Sequence, residues 1–228
     1  MPVYLLGEDI HFPPVDYAED GLLAVGGDLS VERLLHAYSE GIFPWYSEGQ
    51  PILWHSPDPR FVLTTDTFRA PRRLKRLLRT TELRLTMDSA FAEVIRACAT
   101  ARRHDGLGTW ITAEMEATYN RLHRLGYAHS VEAWRGDALA GGLYGVSLGA
   151  VFFGESMFAR ESDASKIAFA SLVPRLAAWG IHLIDCQVYT DHLARFGAEA
   201  WPRQRYIREL KNALAAPTRK QRWSFEDE

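Results

Sequence analysis

Cysteine is nearly absent from this chain of 228 residues: Cys98 and Cys186 are the only two. They are too few for a disulfide framework and lack the spacing of a zinc site, so a reducing compartment, the cytoplasm, is expected. Long hydrophobic runs are missing as well, with no stretch of about 18 apolar residues, so no membrane span is predicted. The opening MPVYLLGEDIHF flanks its short apolar run with acidic rather than basic side chains, unlike a secretory leader. There is no glycine-rich phosphate loop, no HExxH and no GxSxG, and the eight histidines are scattered without metal spacing. What is present is an ordinary globular composition, 47% hydrophobic and 24% charged, with the length for one large domain or two small ones.

The net charge of −3 is unevenly spread. Residues 1–62 hold ten acidic side chains against Arg33 and Arg60, a net of −8 that leaves +5 for the remainder. Much of that excess lies in Arg69, Arg72, Arg73, Lys75, Arg76, Arg79 and Arg84, faced only by Asp66 and Glu82. Such a stripe suits phosphate binding. A solvated helix face is the alternative.

The acidic segment is rich in proline and aromatics, which predicts a small irregular domain with short strands. Its one clear helix follows Gly26-Gly27-Asp28: Asp28 or Ser30 can cap it, Val31, Leu34, Leu35 and Tyr38 recur at helical spacing, and Gly41 can end it. Beyond it, APRRLKRLLRT, AFAEVIRACATAR and AEMEATYNRLHRLG read as helices. HSVEAWRGDALAGGLYGVSLGAVFFGESMF then supplies three strands of a meander, SKIAFASLVPRLAAWG an apolar helix kinked at Pro174, and HLIDCQVY another strand. ARFGAEAWP and QRYIREL form a last pair. The expected architecture is α+β, with a small domain at 1–62 and a mixed-sheet domain at 63–228.

Strand alternation places Leu183, Asp185, Gln187 and Tyr189 on one face, away from His182, Ile184, Cys186 and Val188. A carboxylate and an amide on a buried strand need partners, because burial unpaired costs several kcal/mol. Asp185 and Gln187 either bond each other to tie down a loop or form part of a reacting centre. Glu155, in GAVFFGESMF, alternates with Val151 and Phe153 and is either an edge charge or a second member of an acidic cleft; Gly154 before it leaves room for a ligand. Trp45, Tyr46, Trp54 and Trp110 lie in loop-like segments and are candidates for base stacking as well as for the core.

Taken together, GLLAVGGDL, LLHAYSEGIFPWYSEGQPILWHSPDPR, GTWIT, LYGVSLGAVFFGESMF, ASK and LIDCQVYTDH resemble the leucyl/phenylalanyl-tRNA-protein transferases, in register from about residue 11 to about residue 210. The resemblance implies a cytoplasmic bacterial enzyme that moves leucine or phenylalanine, and less well methionine, from aminoacyl-tRNA onto proteins beginning with Arg or Lys, marking them for the N-end rule pathway. It implies a second domain similar to the GNAT acyltransferases. It places Asp185 and Gln187 at the reacting centre, the Asp polarising the Gln, and assigns Glu155 to recognition of a charged group. Trp45 and Trp110 would contact the terminal adenosine, and Leu143, Phe169, Leu172, Leu176 and Ile184 would line a pocket for the transferred side chain. Arg69, Arg72, Arg73, Lys75, Arg76 and Arg79 would meet the tRNA. The ester to tRNA supplies the energy, so no cofactor and no metal is implied. The rival is an acyl-CoA-dependent N-acyltransferase, against which stands ARESDASK, a segment without glycine where a CoA pyrophosphate loop would lie. A non-catalytic RNA-binding module would account for the basic stripe but not for the acidic cleft.

Overall fold

The computed structural model describes residues 3–101 and 110–226. Gly108 and Thr109 of the GTWIT segment, and Arg102 at the end of the helix read as AFAEVIRACATAR, lie outside them. The acidic segment forms a four-stranded sheet in the order β1-β2-β4-β3, from β1 (Tyr4–Leu6), β2 (Leu22–Gly26), β3 (Phe43–Pro44) and β4 (Leu53–His55). Between β2 and β3 runs α1 (Val31–Ser39). Ser30 is its cap, the hydroxyl accepting from the Arg33 N–H, whereas Asp28 accepts from the Ser30 N–H at 2.7 Å. Val31, Leu34 and Tyr38 are buried along the inner face, and Gly41 follows at φ +75°, a conformation that a side chain would strain.

The larger sheet has seven strands: β5 (Arg60–Thr64), β6 (Arg84–Met87), β7 (Ala128–Arg135), β8 (Ala138–Leu148), β9 (Val151–Ala159), β10 (Leu183–Gln187) and β11 (Glu199–Trp201). Their order is β11-β5-β10-β9-β8-β7-β6. The antiparallel strands β7, β8 and β9 form the meander. From its end α5 (Ala164–Ala178) carries the chain across to β10, which runs parallel to β9 and antiparallel to β5 and leads into the short α6 (Asp191–Ala194). α5 continues as one helix through Pro174. Sequence pattern missed β5 because RFVLT is buried on both faces and so shows no alternation.

Helices cover both faces. On one side lie α5 and, packed against it, α2 (Arg72–Thr80); on the other are α3 (Phe91–Thr100), α4 (Ala113–Arg124), α1 and α7 (Arg203–Leu214). Adjacent strand residues therefore enter different cores, Phe152 packing with Leu143, Phe169 and Ile184, and Phe153 with Tyr38, Tyr119 and Tyr206. The architecture is a mixed α+β fold of two mixed sheets with an N-terminal domain.

Candidate active site

The parallel ladder between β9 and β10 runs through Leu183–Val151, Ile184–Phe152 and Asp185–Phe153 and stops there. Two irregularities coincide at that point. Against β8, Gly154 pairs with Gly145 and Ser156 with Tyr144, which leaves Glu155 as the extra residue of a bulge. Against β5, Asp185 pairs with Val62 and Gln187 with Phe61, which leaves Cys186 unmatched. Bulges end pairing and re-aim side chains. Gln187 adopts φ +63°, uncommon for a residue with a side chain, and its N–H donates to Asp185 Oδ1 at 2.9 Å.

Where the strands part lies a cavity of about 300 Å³. Leu143, Phe152, Met157, Phe169 and Ile184 make an apolar wall, Glu155, Asp185 and Gln187 supply polar groups, and Trp45 and Trp110 also line it. A Cβ on Gly154 would meet only the Asp185 carbonyl oxygen, at an ordinary 3.6 Å, so packing does not demand a glycine here; its missing side chain enlarges the cavity. Cys186 shares the lining, but burial pushes its thiol pKa up, which keeps it un-ionised and unsuited to nucleophilic attack.

Asp185 has no exposed surface and its acceptor positions are filled. Arg60 grips it with two bonds, Nε to Oδ1 at 2.8 Å and Nη2 to Oδ2 at 2.6 Å, and the Tyr206 hydroxyl donates to Oδ2 at 2.8 Å. Arg60 is itself wedged between the rings of Phe43 and Tyr206, each 4.7 Å from its guanidinium carbon, and donates Nη1–H to the Gly41 carbonyl. The expected side-chain bond between Asp185 and Gln187 is replaced by the bond to the Gln187 backbone, because Arg60 and Tyr206 occupy the carboxylate. The carboxyl that meets the Gln187 amide is Glu155, whose Oε1 accepts from Nε2 at 3.0 Å.

Glu155 is 7% exposed and also contacts two buried phenols, Tyr38 on Oε1 at 2.8 Å and Tyr119 on Oε2 at 3.0 Å. Burial pushes its carboxyl pKa up to about 7 and the Asp185 charge adds to this, while the hydrogen bonds from Tyr38, Tyr119 and Gln187 pull the other way. Burial and the Glu155 charge hold both phenols well above their usual value. His192 also borders the cavity; its buried Nε2 has no partner among the described residues, and burial lowers its pKa, favouring a neutral ring.

Leu172 and Leu176 are not in the cavity wall. Both are completely buried on α5 in the core behind it, with Phe169 alone of the three reaching the opening, because the face they share points at the sheet interior. Trp54 is likewise core, its indole N–H bonded to the Gly26 carbonyl at 2.9 Å, and Tyr46 is buried with its hydroxyl 3.4 Å from that of Thr112. On α2 only Leu74 is buried, and Arg72, Arg73, Lys75, Arg76 and Arg79 are exposed. Arg73 pairs with Asp163 at 3.1 Å, and the exposed Arg69 caps the carbonyls of Asp66 and Phe68 at 2.8 Å each. The groups that sequence reasoning missed are Arg60, Tyr206, Tyr38 and Tyr119. The one signal for them was a lone arginine beside the apolar run FVL.

A sheet that opens at two facing bulges onto an apolar cavity, with a carboxyl and an amide at the parting, is laid out to hold an apolar group beside a reacting polar one. That is the layout of a group-transfer enzyme. Two family profiles match the chain, one described as leucyl/phenylalanyl-tRNA protein transferase over residues 62–211 and one as the N-terminal domain of the same family over residues 27–58. Among curated proteins, the leucyl/phenylalanyl-tRNA--protein transferase of Myxococcus xanthus is 55% identical over 227 residues, covering 98% of this chain and 97% of that one. The protein of the same name from Anaeromyxobacter sp. (strain K) is 58% identical over 226 residues, covering 99% and 97%. A solved structure from Staphylococcus epidermidis, described as a functionally unknown conserved protein, superposes with a TM-score of 0.45 at 8% identity, covering 79% of this chain and 68% of that one, too loosely to assign a fold family. The chain belongs to the leucyl/phenylalanyl-tRNA protein transferase family and is a transferase. Among the described residues no helix is long and apolar enough to cross a membrane, and no group of three or more His, Cys, Asp or Glu is placed to hold a metal ion.

Proposed function

We propose that the protein transfers leucine or phenylalanine, and less well methionine, from aminoacyl-tRNA to the α-amino group of proteins beginning with Arg or Lys, generating an N-degron of the N-end rule pathway in the cytoplasm. The observation that carries this reading is the cavity itself, with an apolar wall for the transferred side chain and the Glu155–Gln187 pair beside it. Because Nε2 of Gln187 is committed to Glu155, its carbonyl oxygen is left to accept an N–H of the attacking amine. Asp185 acts one step back, holding the Gln187 backbone at its unusual φ. An α-amine of reference pKa about 7.7 to 8.0 is already partly neutral near pH 7, so a strong base is unnecessary. Holding amine and activated ester together can supply several kcal/mol of the barrier. The nitrogen attacks the ester carbonyl, the ribose oxygen leaves, and the proton shed by nitrogen ends on that oxygen.

Leu143, Phe169 and Ile184 are the side-chain pocket in this reading, and Trp45 and Trp110 flank the terminal adenosine by stacking. The exposed cations of α2 meet the phosphates of the acceptor stem; α2 packs on α5, the helix that carries Phe169 to the cavity. A GNAT-like catalytic domain at 63–228 after a small domain at 1–62 is the architecture we propose, with β5 straddling the division.

Incubation with radiolabelled Leu-tRNA and peptides that differ only in the first residue tests the reading, with acetyl-CoA as a control donor. Label is expected on peptides beginning with Arg or Lys and not on those beginning with Glu or carrying an acetylated N-terminus. Incorporation from acetyl-CoA, or transfer blind to the first residue, would favour the CoA-dependent alternative or sink acceptor selection respectively.

A further inference from the structure

Three short contacts around Glu155 need three protons, and with an ionised carboxylate the group holds only two. Tyr38 Oη lies 2.8 Å from Glu155 Oε1, Tyr119 Oη lies 3.0 Å from Oε2, and the two phenol oxygens are 2.5 Å apart. Each contact is of hydrogen-bond length and requires one hydrogen. Each phenol has a single hydrogen to give. With Glu155 ionised and both phenols donating to it, the shortest of the three contacts would set lone pair against lone pair in a dry interior, where tyrosines and carboxyl alike are buried.

We propose that in the empty site Glu155 is a neutral carboxylic acid, donating through Oε2 to Tyr119, which donates to Tyr38, which donates back to Oε1, and that the two tyrosines are positioning residues that retain this proton. The Gln187 Nε2 bond to Oε1 is compatible with the closed ring. The other groups facing it are few. From β10 comes the Asp185 carboxylate, neutralised by Arg60 of β5, from β8 the buried phenol of Tyr144, its ring 5.6 Å from that of Tyr119, and beyond Tyr119 lies the phenol of Tyr46. No cation is paired with Glu155 among the described residues, so only the hydrogen bonds from Tyr38, Tyr119 and Gln187 offset the cost of its burial as an anion. A carboxyl pKa raised to about 7 agrees with the ring.

A consequence for substrate rests on the transferase reading above. A cationic amine drawn to Gln187 finds no negative charge until Glu155 gives up the ring proton to solvent, so its affinity increases as pH rises through the ring's midpoint. Loss of that proton opens the ring at the Tyr38–Tyr119 contact and frees the tyrosines to turn.

The test follows Glu155 itself, by NMR of side-chain carboxyl carbons in the substrate-free protein carrying labelled glutamate, with Glu155→Gln identifying the resonance. Glu155 is expected to be neutral in mild acid and to titrate at about 7. Tyr38→Phe and Tyr119→Phe each open the ring. The neutral acid then loses two ring bonds, while the carboxylate loses one donor together with the oxygen clash, so both variants are expected to lower the midpoint by about half a pH unit or more. Were the tyrosines plain donors to a carboxylate, removing either would raise the midpoint. A fall in both variants supports the ring; a midpoint that stays or rises in either, or a wild-type Glu155 ionised throughout mild acid, overturns it. Because no substrate is present, failure here is separate from failure of the transfer assay.

Discussion

The guanidinium of Arg60 and the carboxylate of Asp185 face each other edge to edge at 2.6 and 2.8 Å across β5 and β10, with both side chains essentially out of contact with solvent. Breaking such a pair from one side leaves a buried charge without its partner, which costs about 3 to 5 kcal/mol. Arg60→Ala is therefore expected to lower stability by that order. Arg60→Lys should restore only part, because an ammonium cannot make the two parallel bonds or stack between Phe43 and Tyr206. Urea unfolding of the three proteins checks this; an Arg60→Ala protein as stable as wild type would show the pair to be energetically idle.

Glu155 sets a slope of stability against pH. Its folded pKa, raised to about 7 from an ordinary 4.5, means that between those values the native state keeps a proton the unfolded chain has lost. Stability from this group is complete below pH 4.5 and falls away as the pH rises through about 7, by roughly 3 kcal/mol in total. Glu155→Gln should remove that component. Denaturation curves at several pH values, compared between wild type and variant, must show the difference closing in this window and in this direction.

Gly154 and Gly145 face each other across β8 and β9 yet should respond in opposite ways to alanine. At Gly154 the added methyl meets only a carbonyl at 3.6 Å, so the fold should survive with a change of less than about 1 kcal/mol, while the intruding carbon obstructs transfer. At Gly145 it would overlap the Phe153 carbonyl and the Phe152 ring, and folding should fail. Thermal melts with transfer rates separate the two outcomes; an active Gly154→Ala protein would remove that residue from the substrate's path.

The exposed cations of α2 should govern tRNA affinity without touching amino-acid choice, since phosphate contacts position a nucleic acid and do not read it. Neutralising Arg72 and Arg76 should lower the magnitude of the log K against log salt slope by roughly 0.7 to 0.9 for each phosphate that is no longer neutralised. Arg73, already paired with Asp163, should count for less. Binding of Leu-tRNA and Phe-tRNA at several salt concentrations measures this, and an unchanged slope would make the stripe a solvated face.

Much of the layout was legible in the chain itself. The helical spacing of α1, the glycine-punctuated meander and the helix that follows it are local patterns, and local patterns survive in sequence. The placing of a carboxylate and an amide on one buried strand was legible for the same reason, since alternation assigns faces without any knowledge of partners. The strands β5 and β6 and both bulges escaped because their signal was weak: β5 is buried on both sides, β6 is four residues long, and a single extra residue on each of two strands, Glu155 and Cys186, leaves no mark in the pattern.

What the sequence determined by itself is the order of the helices and of the meander, the family, and which polar residues are carried inward on strands. Who their partners are was decided only in three dimensions. Arg60 and Asp185 are 125 residues apart, and Tyr38 and Glu155 are 117 apart. Local periodicity says which way a side chain points but not what waits there, and an arginine, two tyrosines and a glutamate look like surface or core until the sheet and α1, α4 and α7 close around them. Tertiary packing thus gave Asp185 to Arg60 and left Glu155 to hold Gln187, because a buried carboxyl goes to the nearest polar partners that can replace its lost water.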